Sequence, residues 1–317
     1  MKAVFLDYGT MGPGLDLAPL EALLDELVVF DKTSSTQIAE RIRGAQIVFT
    51  NKIRFTAEVL EAAPELSYIG LTATGSDNID LEGAREAGVV VSNIRAYCTP
   101  SVVEHVFGVV LMLTHRLKTY DSFTRAGGWQ EAEDFCPLGW PITELAGKTL
   151  GIIGWGDLGR GVAAVGEAFG MRVLVSARPG SDSVPDGRVS LDTVLEEADV
   201  LSLHCPLNDA TRGLIGENEL KQMKPTAILV NTARGALVDS QALADALASG
   251  EIAAAAIDVL PVEPPRDGDP LLDYDGDNLV VTPHIAWGST ESRQNAINQL
   301  ADNTRAFISG EPKNRVA

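Results

Sequence analysis

Cysteine, basic charge and long apolar runs are all scarce in this sequence of 317 residues. The three cysteines, Cys98, Cys136 and Cys205, form no CxxC pair and cannot all be bridged, which argues against a disulfide framework and for a reducing compartment. No stretch approaches the roughly 18 apolar residues that a membrane span needs. The richest, residues 106–113, is interrupted by Gly108 and runs on to His115 and Arg116. The opening residues reach Asp7 after a short apolar run, so they read as a first strand without a secretory leader, and a soluble cytoplasmic protein is expected. Lys and Arg number 25 against 44 Asp and Glu, a formal charge of -19, which opposes binding to nucleic acid or an anionic membrane. Any site for an anionic substrate must therefore bring its own local cations.

What the chain does have is length, 45% hydrophobic residues and a regular alternation of short β-branched runs with helical patterns. That alternation predicts βαβ units and parallel sheets, and the length suits two domains. In the first part the expected strands are residues 3–6, 27–30, 47–50, 68–71 and 89–92, separated by helical stretches at 16–26, 35–43, 56–63 and 81–87. A longer crossover helix is expected from Thr99 and Pro100, a cap followed by a first-turn proline, to about Tyr120. An irregular, aromatic-bearing stretch, 126–141, follows. Strands are then expected at 150–153, 172–176, 200–204, 227–231, 254–258 and 279–282, with a closing helix over about 291–308.

Gly154-Trp155-Gly156-Asp157-Leu158-Gly159 is a G-x-G-x-x-G that follows an apolar strand and opens a helical pattern. In that context Gly154 permits the tight turn, Gly156 lets backbone approach a pyrophosphate and Gly159 lets helix pack on strand, so a dinucleotide site is expected. An Asp or Glu at the end of the next strand would hold the ribose 2′-hydroxyl of NAD, but the chain has Ser176, Ala177 and Arg178 there. Without that carboxylate, and with Arg178 able to pair a 2′-phosphate, the reading is NAD or NADP with a lean to NADP.

Three further segments each end an expected strand: Asn231-Thr232-Ala233-Arg234-Gly235, the run from Asp258 to Glu263 and Pro265, and Thr282-Pro283-His284-Ile285-Ala286-Trp287. At these residues and the glycine motif, the chain resembles the D-isomer-specific 2-hydroxyacid dehydrogenase family along essentially its whole length, nearest the glycerate dehydrogenase or hydroxypyruvate reductase branch. The resemblance implies two doubly wound α/β domains: a flavodoxin-like substrate-binding domain of residues 1–98 and 288–317, and a Rossmann dinucleotide-binding domain of residues 99–287. It implies hydride transfer between NAD(P)H and a small 2-oxo acid, glyoxylate or hydroxypyruvate first. Arg234 would bind the substrate carboxylate and 2-oxygen, His284 would be the acid/base and Glu263 would pair with its imidazole. Backbone N–H groups of Thr74 and Gly75 would grip the carboxylate. Asp258 would face the nicotinamide carboxamide, and Asp157, Leu158, Cys205, Pro206, Thr211, Thr232 and Ala233 would line the cofactor. A homodimer is also implied, with Trp140 reaching a neighbour's site. Lys52, Arg54 and Trp287 are candidates for the far end of the substrate.

The residue types suit this chemistry. Reduction of a 2-oxo acid puts negative charge on the carbonyl oxygen, so a histidine donor and a fixed cation are both useful. A carboxylate beside the histidine stabilises imidazolium and orients the ring, and arginine matches a carboxylate bidentately as lysine cannot. Each of the three has a bland reading alone, and their joint arrival at strand ends is what favours function. The other histidines, His105, His115 and His204, are assigned to packing. No metal is expected: Asp273, Asp275 and Asp277 around Gly276 miss EF-hand spacing and read as a solvated loop. Formate chemistry is disfavoured because it creates no hydroxyl to protonate. A phosphoglycerate dehydrogenase-like enzyme and a dinucleotide-sensing corepressor are the alternatives.

Overall fold

In the computed structural model, which describes residues 1–181 and 183–317, the chain divides into two compact units, Met1–Cys98 with Gly288–Ala317, and Thr99–Trp287. Both are α/β. The first holds β1 (Lys2–Phe5), β2 (Glu26–Val29), β3 (Ile47–Thr50), β4 (Tyr68–Leu71) and β5 (Val90–Ser92). Their order is β2-β1-β3-β4-β5, and every pairing is parallel, which is the flavodoxin-like arrangement. Parallel strands are covered on both faces by their crossover helices, so they read as continuous apolar runs. All four residues of β3 and all four of β4 are buried. On one face Val4, Val48, Ile69 and Val91 pack with Ile38 and Leu60. On the other, Tyr68 stacks on Phe307 of the final helix Thr290–Ile308, with rings 4.6 Å apart.

The second unit holds β6 (Thr149–Ile153), β7 (Arg172–Val175), β8 (Val200–Leu203), β9 (Ile228–Asn231), β10 (Ala254–Ile257) and β11 (Leu279–Val281). The order is β11-β10-β9-β8-β6-β7, again all parallel. On the free side of β7 a single bridge joins Ser176 to Val189. It stands where the Rossmann order has its third strand, here reduced to one residue pair. Strand order reverses between β1 and β3 and between β6 and β8. Beyond the carboxyl ends of the strands at such points, doubly wound sheets bind their ligands.

Two helices differ from expectation. The one expected over 16–26 is reduced to Ala18–Glu21, because Glu26 already belongs to β2. The crossover helix stops at Thr114 and a second helix runs Leu117–Arg125. Between them Arg116 adopts φ +53°, a left-handed conformation that a right-handed helix cannot continue through. Within 126–141 only Gly128–Glu131 is helical.

Candidate active site

Since β9, β10 and β11 are neighbours, the segments leaving their carboxyl ends lie side by side. After β9 the wholly buried Asn231 closes a turn. Its Nδ2 donates to the carbonyl of Arg234 at 2.9 Å and its Oδ1 accepts the Ala233 N–H at 3.0 Å. Arg234 leaves that turn with Nη1 donating to the Ala233 carbonyl at 2.7 Å. At Gly235 a Cβ would lie 1.9 Å from the carbonyl carbon of Leu260. Only glycine lets the loop that follows β10 lie against the Arg234 turn. That loop carries Glu263, whose Oε1 accepts the Leu260 N–H at 2.9 Å.

Glu263 Oε2 lies 2.6 Å from His284 Nδ1. A carboxylate only accepts, so Nδ1 is the donor and Nε2 is the ring nitrogen left for a ligand. The two side chains, His284 and Glu263, are 29% and 35% exposed, within reach of a small molecule. A cavity of about 390 Å³ opens beside them, lined by Asp258, Glu263 and His284 with Leu260, Pro264 and Leu272. Trp287 Nε1 donates to the His284 carbonyl at 3.0 Å. Asp258 is only 2% exposed. Its Oδ1 accepts from the Thr282 hydroxyl at 2.6 Å and the Ile285 N–H at 2.9 Å, and its Oδ2 from the Ala286 N–H at 2.9 Å.

At the β6/β8 reversal the three glycines divide their work. Gly154 sits at φ +103°, and a Cβ there would lie 2.4 Å from the Cys205 nitrogen. A Cβ on Gly159 would lie 2.1 Å from the Gly154 carbonyl oxygen, whereas one on Gly156 would meet nothing within 4 Å. Two glycines thus allow the turn to close and the third keeps a space open at the start of the helix Asp157–Ala168, where unpaired N–H groups and the positive helix end suit a pyrophosphate. Beyond β9 the Thr232 hydroxyl is buried with no partner, as expected of a group that a cofactor satisfies. Thr211 closes its loop by donating to the Pro206 carbonyl at 2.8 Å and accepting the Asn208 N–H at 2.8 Å. Burial pushes the Cys205 thiol up to about 11, so it is a neutral packing group. His204 Nε2 meets Ser202 Oγ at 2.9 Å while its Nδ1 is unpartnered, and burial pulls the ring down to about 4. Ala177 is buried, and Arg178 lines an open hollow with Pro179, Ser181, Asn208 and Asp209.

A family model, D-isomer specific 2-hydroxyacid dehydrogenase, NAD binding domain, matches residues 107–286. The chain belongs to this family. The dehydrogenase is similar to the glycerate dehydrogenase of Methylorubrum extorquens, 45% identical over 281 residues and 88% of each chain. It is also similar to the hydroxypyruvate reductase of Blautia hydrogenotrophica, 38% identical over 323 residues, 100% of this chain and 99% of that one. The solved structure of the TT0316 protein from Thermus thermophilus matches over 100% of both chains, with a TM-score of 0.87 and 33% identity. The dehydrogenase is an oxidoreductase acting on CH–OH groups with a nicotinamide dinucleotide, and the open Gly156 cradle and the orphaned Thr232 hydroxyl fit such a cofactor.

In the first unit of the dehydrogenase, Thr74 is exposed and Gly75 half-buried just beyond β4, and Asn93 Nδ2 donates to the Thr74 carbonyl at 2.7 Å. Lys52 and Arg54 are exposed beyond β3. At the β1/β3 reversal the carboxylate of Asp7, 3% exposed, accepts the N–H groups of Asn51 at 2.9 Å and Lys52 at 2.7 Å, fixing the turn that presents Lys52. Sequence reasoning missed this role for Asp7 and the packing role of Gly235. The only sequence cues were an acid at the first strand's end and a glycine directly after Arg234. The Trp140 ring packs edge-on against Tyr120 and Phe123 of its own chain, with centroids 5.2 and 5.4 Å away. Among the described residues, no helix is long and apolar enough to cross a membrane.

Proposed function

We propose that the dehydrogenase reduces a small 2-oxo acid, glyoxylate or hydroxypyruvate, to its D-2-hydroxy acid, with NADPH preferred to NADH. The observation that carries this reading is the 2.6 Å contact between His284 Nδ1 and Glu263 Oε2, beside the turn that bears Arg234. When bound, the reduced nicotinamide supplies the hydride. His284 Nε2 gives a proton to the substrate's carbonyl oxygen as charge develops there. Glu263 keeps the ring oriented and compensates the imidazolium. Arg234 takes the substrate carboxylate and 2-oxygen in its planar fork. Thr74 and Gly75 add backbone donors to the carboxylate, and Lys52 and Trp287 read the rest of the acid. Asp157 and Leu158 with the three glycines hold the pyrophosphate, while Cys205, Pro206, Thr211, Thr232 and Ala233 border the remainder of the cofactor. Three of roughly four lone-pair directions on Asp258 are already used inside the chain, leaving one for the carboxamide.

The lean to NADPH rests on the absence of a carboxylate at Ala177 and on the exposed Arg178 beside it. The exposed apolar side chains of Trp129, Phe135 and Leu138 favour a homodimer through the segment 126–141. Three unbridged cysteines favour the cytoplasm. The test is a turnover screen of NADH and NADPH against glyoxylate, hydroxypyruvate, pyruvate and phosphohydroxypyruvate, with His284→Ala as control. Turnover of the first two acids, lost in the variant, is expected; no turnover, or an active variant, ends this reading. Ala177→Asp is expected to shift preference towards NADH, and an unchanged ratio would mean that the 2′-position is read elsewhere.

A further inference from the structure

His284 has φ +55°, a left-handed conformation that non-glycine residues adopt only when their surroundings impose it. Three successive N–H groups converge on one residue there. That of His284 donates to the backbone carbonyl of Asp258 at 2.7 Å, and those of Ile285 and Ala286 to its two carboxylate oxygens at 2.9 Å each. Successive N–H groups around a left-handed residue form an anion-binding nest, and here the anion is the chain's own carboxylate. The nest is only as fixed as Asp258.

The Thr282 hydroxyl has a single proton, given to Asp258 Oδ1 at 2.6 Å. At 3.3 Å from the same hydroxyl oxygen lies Nε2 of His105, on the crossover helix Thr99–Thr114. With the hydroxyl proton committed, His105 Nε2 is the donor in that contact. One turn earlier on the same helix face, the Ser101 hydroxyl donates to the Ala286 carbonyl at 2.7 Å. The helix therefore grips the segment from Asp258 to Ala286 at two points.

Resting on the reading of His284 as the acid/base, we propose that His105 and Thr282, acting through Asp258, and Ser101, acting through Ala286, are positioning residues for it. The series His105 Nε2–H to Thr282 Oγ1–H to Asp258 holds the nest, the nest holds the left-handed backbone, and that backbone aims the imidazole at its proton-transfer position. His105, read from sequence as a packing residue, gains a role in the rate of proton transfer.

The test compares Thr282→Val, which keeps shape and loses the hydroxyl, with Thr282→Ser, which restores it, and His105→Leu with His105→Gln, which keeps an N–H donor. Steady-state kcat and KM are measured across pH with the reduced cofactor and glyoxylate or hydroxypyruvate. Thr282→Val and His105→Leu are expected to lower kcat roughly tenfold to a hundredfold and alter the pH profile, with cofactor KM within about twofold. Thr282→Ser and His105→Gln are expected to return kcat to within about threefold of wild type. Wild-type kcat in Thr282→Val and His105→Leu, or equal damage from the donor-keeping and donor-lacking variants, overturns the proposal. His284→Ala run alongside separates the two levels. If it is inactive while Thr282→Val and His105→Leu are normal, only the positioning role falls; if it is active, the acid/base reading falls too.

Discussion

Gly235→Ala is the sharpest single perturbation of the active-site edge. Alanine suits the local backbone, but its Cβ would sit 1.9 Å from the carbonyl carbon of Leu260, and the obstacle is backbone rather than a side-chain tip. The loop after β10 must move outward, which as an overpacking defect costs about 1–3 kcal/mol. At roughly 2–4 °C per kcal/mol for a unit of this size, melting is expected to fall by about 2–12 °C. The functional effect is separate. Glu263 is held by the Leu260 N–H and holds His284 Nδ1, so a displaced loop releases a charge-assisted hydrogen bond worth about 1.5–3 kcal/mol. Felt in the transition state, that is about a 10- to 150-fold fall in kcat. The assay is steady-state turnover of hydroxypyruvate well below the melting temperature, alongside cofactor affinity by tryptophan fluorescence. Affinity is expected within about threefold of wild type, since the cradle is built on β6 and β8. A folded variant with kcat within twofold of wild type would refute the argument that Gly235 seats the Glu263 loop.

Alanine at the three cradle glycines is expected to separate shape from space: Gly154→Ala and Gly159→Ala lower the melting temperature, whereas Gly156→Ala leaves it unchanged and raises the cofactor KM several-fold. Equal melting of all three would show that the turn tolerates a Cβ anywhere. Burial pulls His204 from 6.5 to about 4, so its neutral form stabilises the fold above pH 6.5 and that contribution is lost as pH falls towards 4. Urea titrations at pH 7 and 4.5 are expected to show wild type losing up to about 3 kcal/mol more than His204→Gln; parallel losses would place the ring in contact with water. Asp7→Asn weakens the anchor of the Lys52 turn and is expected to raise the 2-oxo acid KM several-fold at constant cofactor KM. An unchanged KM would disconnect that turn from substrate.

Strand positions were legible because each is a local matter of β-branched, apolar runs, and ten or more flanking residues of helical pattern set the parallel topology. The cradle was legible for the same reason: six consecutive residues between a strand and a helix contain the whole device. The break at Arg116 was not, since nothing in the residues around it forces a left-handed turn; Thr114 bonding back to the Val110 carbonyl is seen only once the helix exists. The site was read unevenly. Glu263 and His284 were paired by resemblance, and the structure brings them into contact. The roles of Asp7, Gly235 and His105 depend on contacts across tens to well over a hundred residues of chain, formed only after strands have ordered themselves in a sheet. No spacing rule carries that information.

The discontinuous first unit bears on how the protein is made. Its sheet edge is finished late: Ser92 of β5 bridges Arg315, and the Val316 N–H donates to the Val91 carbonyl at 2.8 Å. A ribosome delivers residues 99–287 as an uninterrupted stretch before residues 288–317 emerge, so the cofactor unit can complete its core first. The earlier-made residues 1–98 must wait for the final helix and the edge pairing. During that interval the face of β4 lacks the cover that Phe307 gives it in the finished fold.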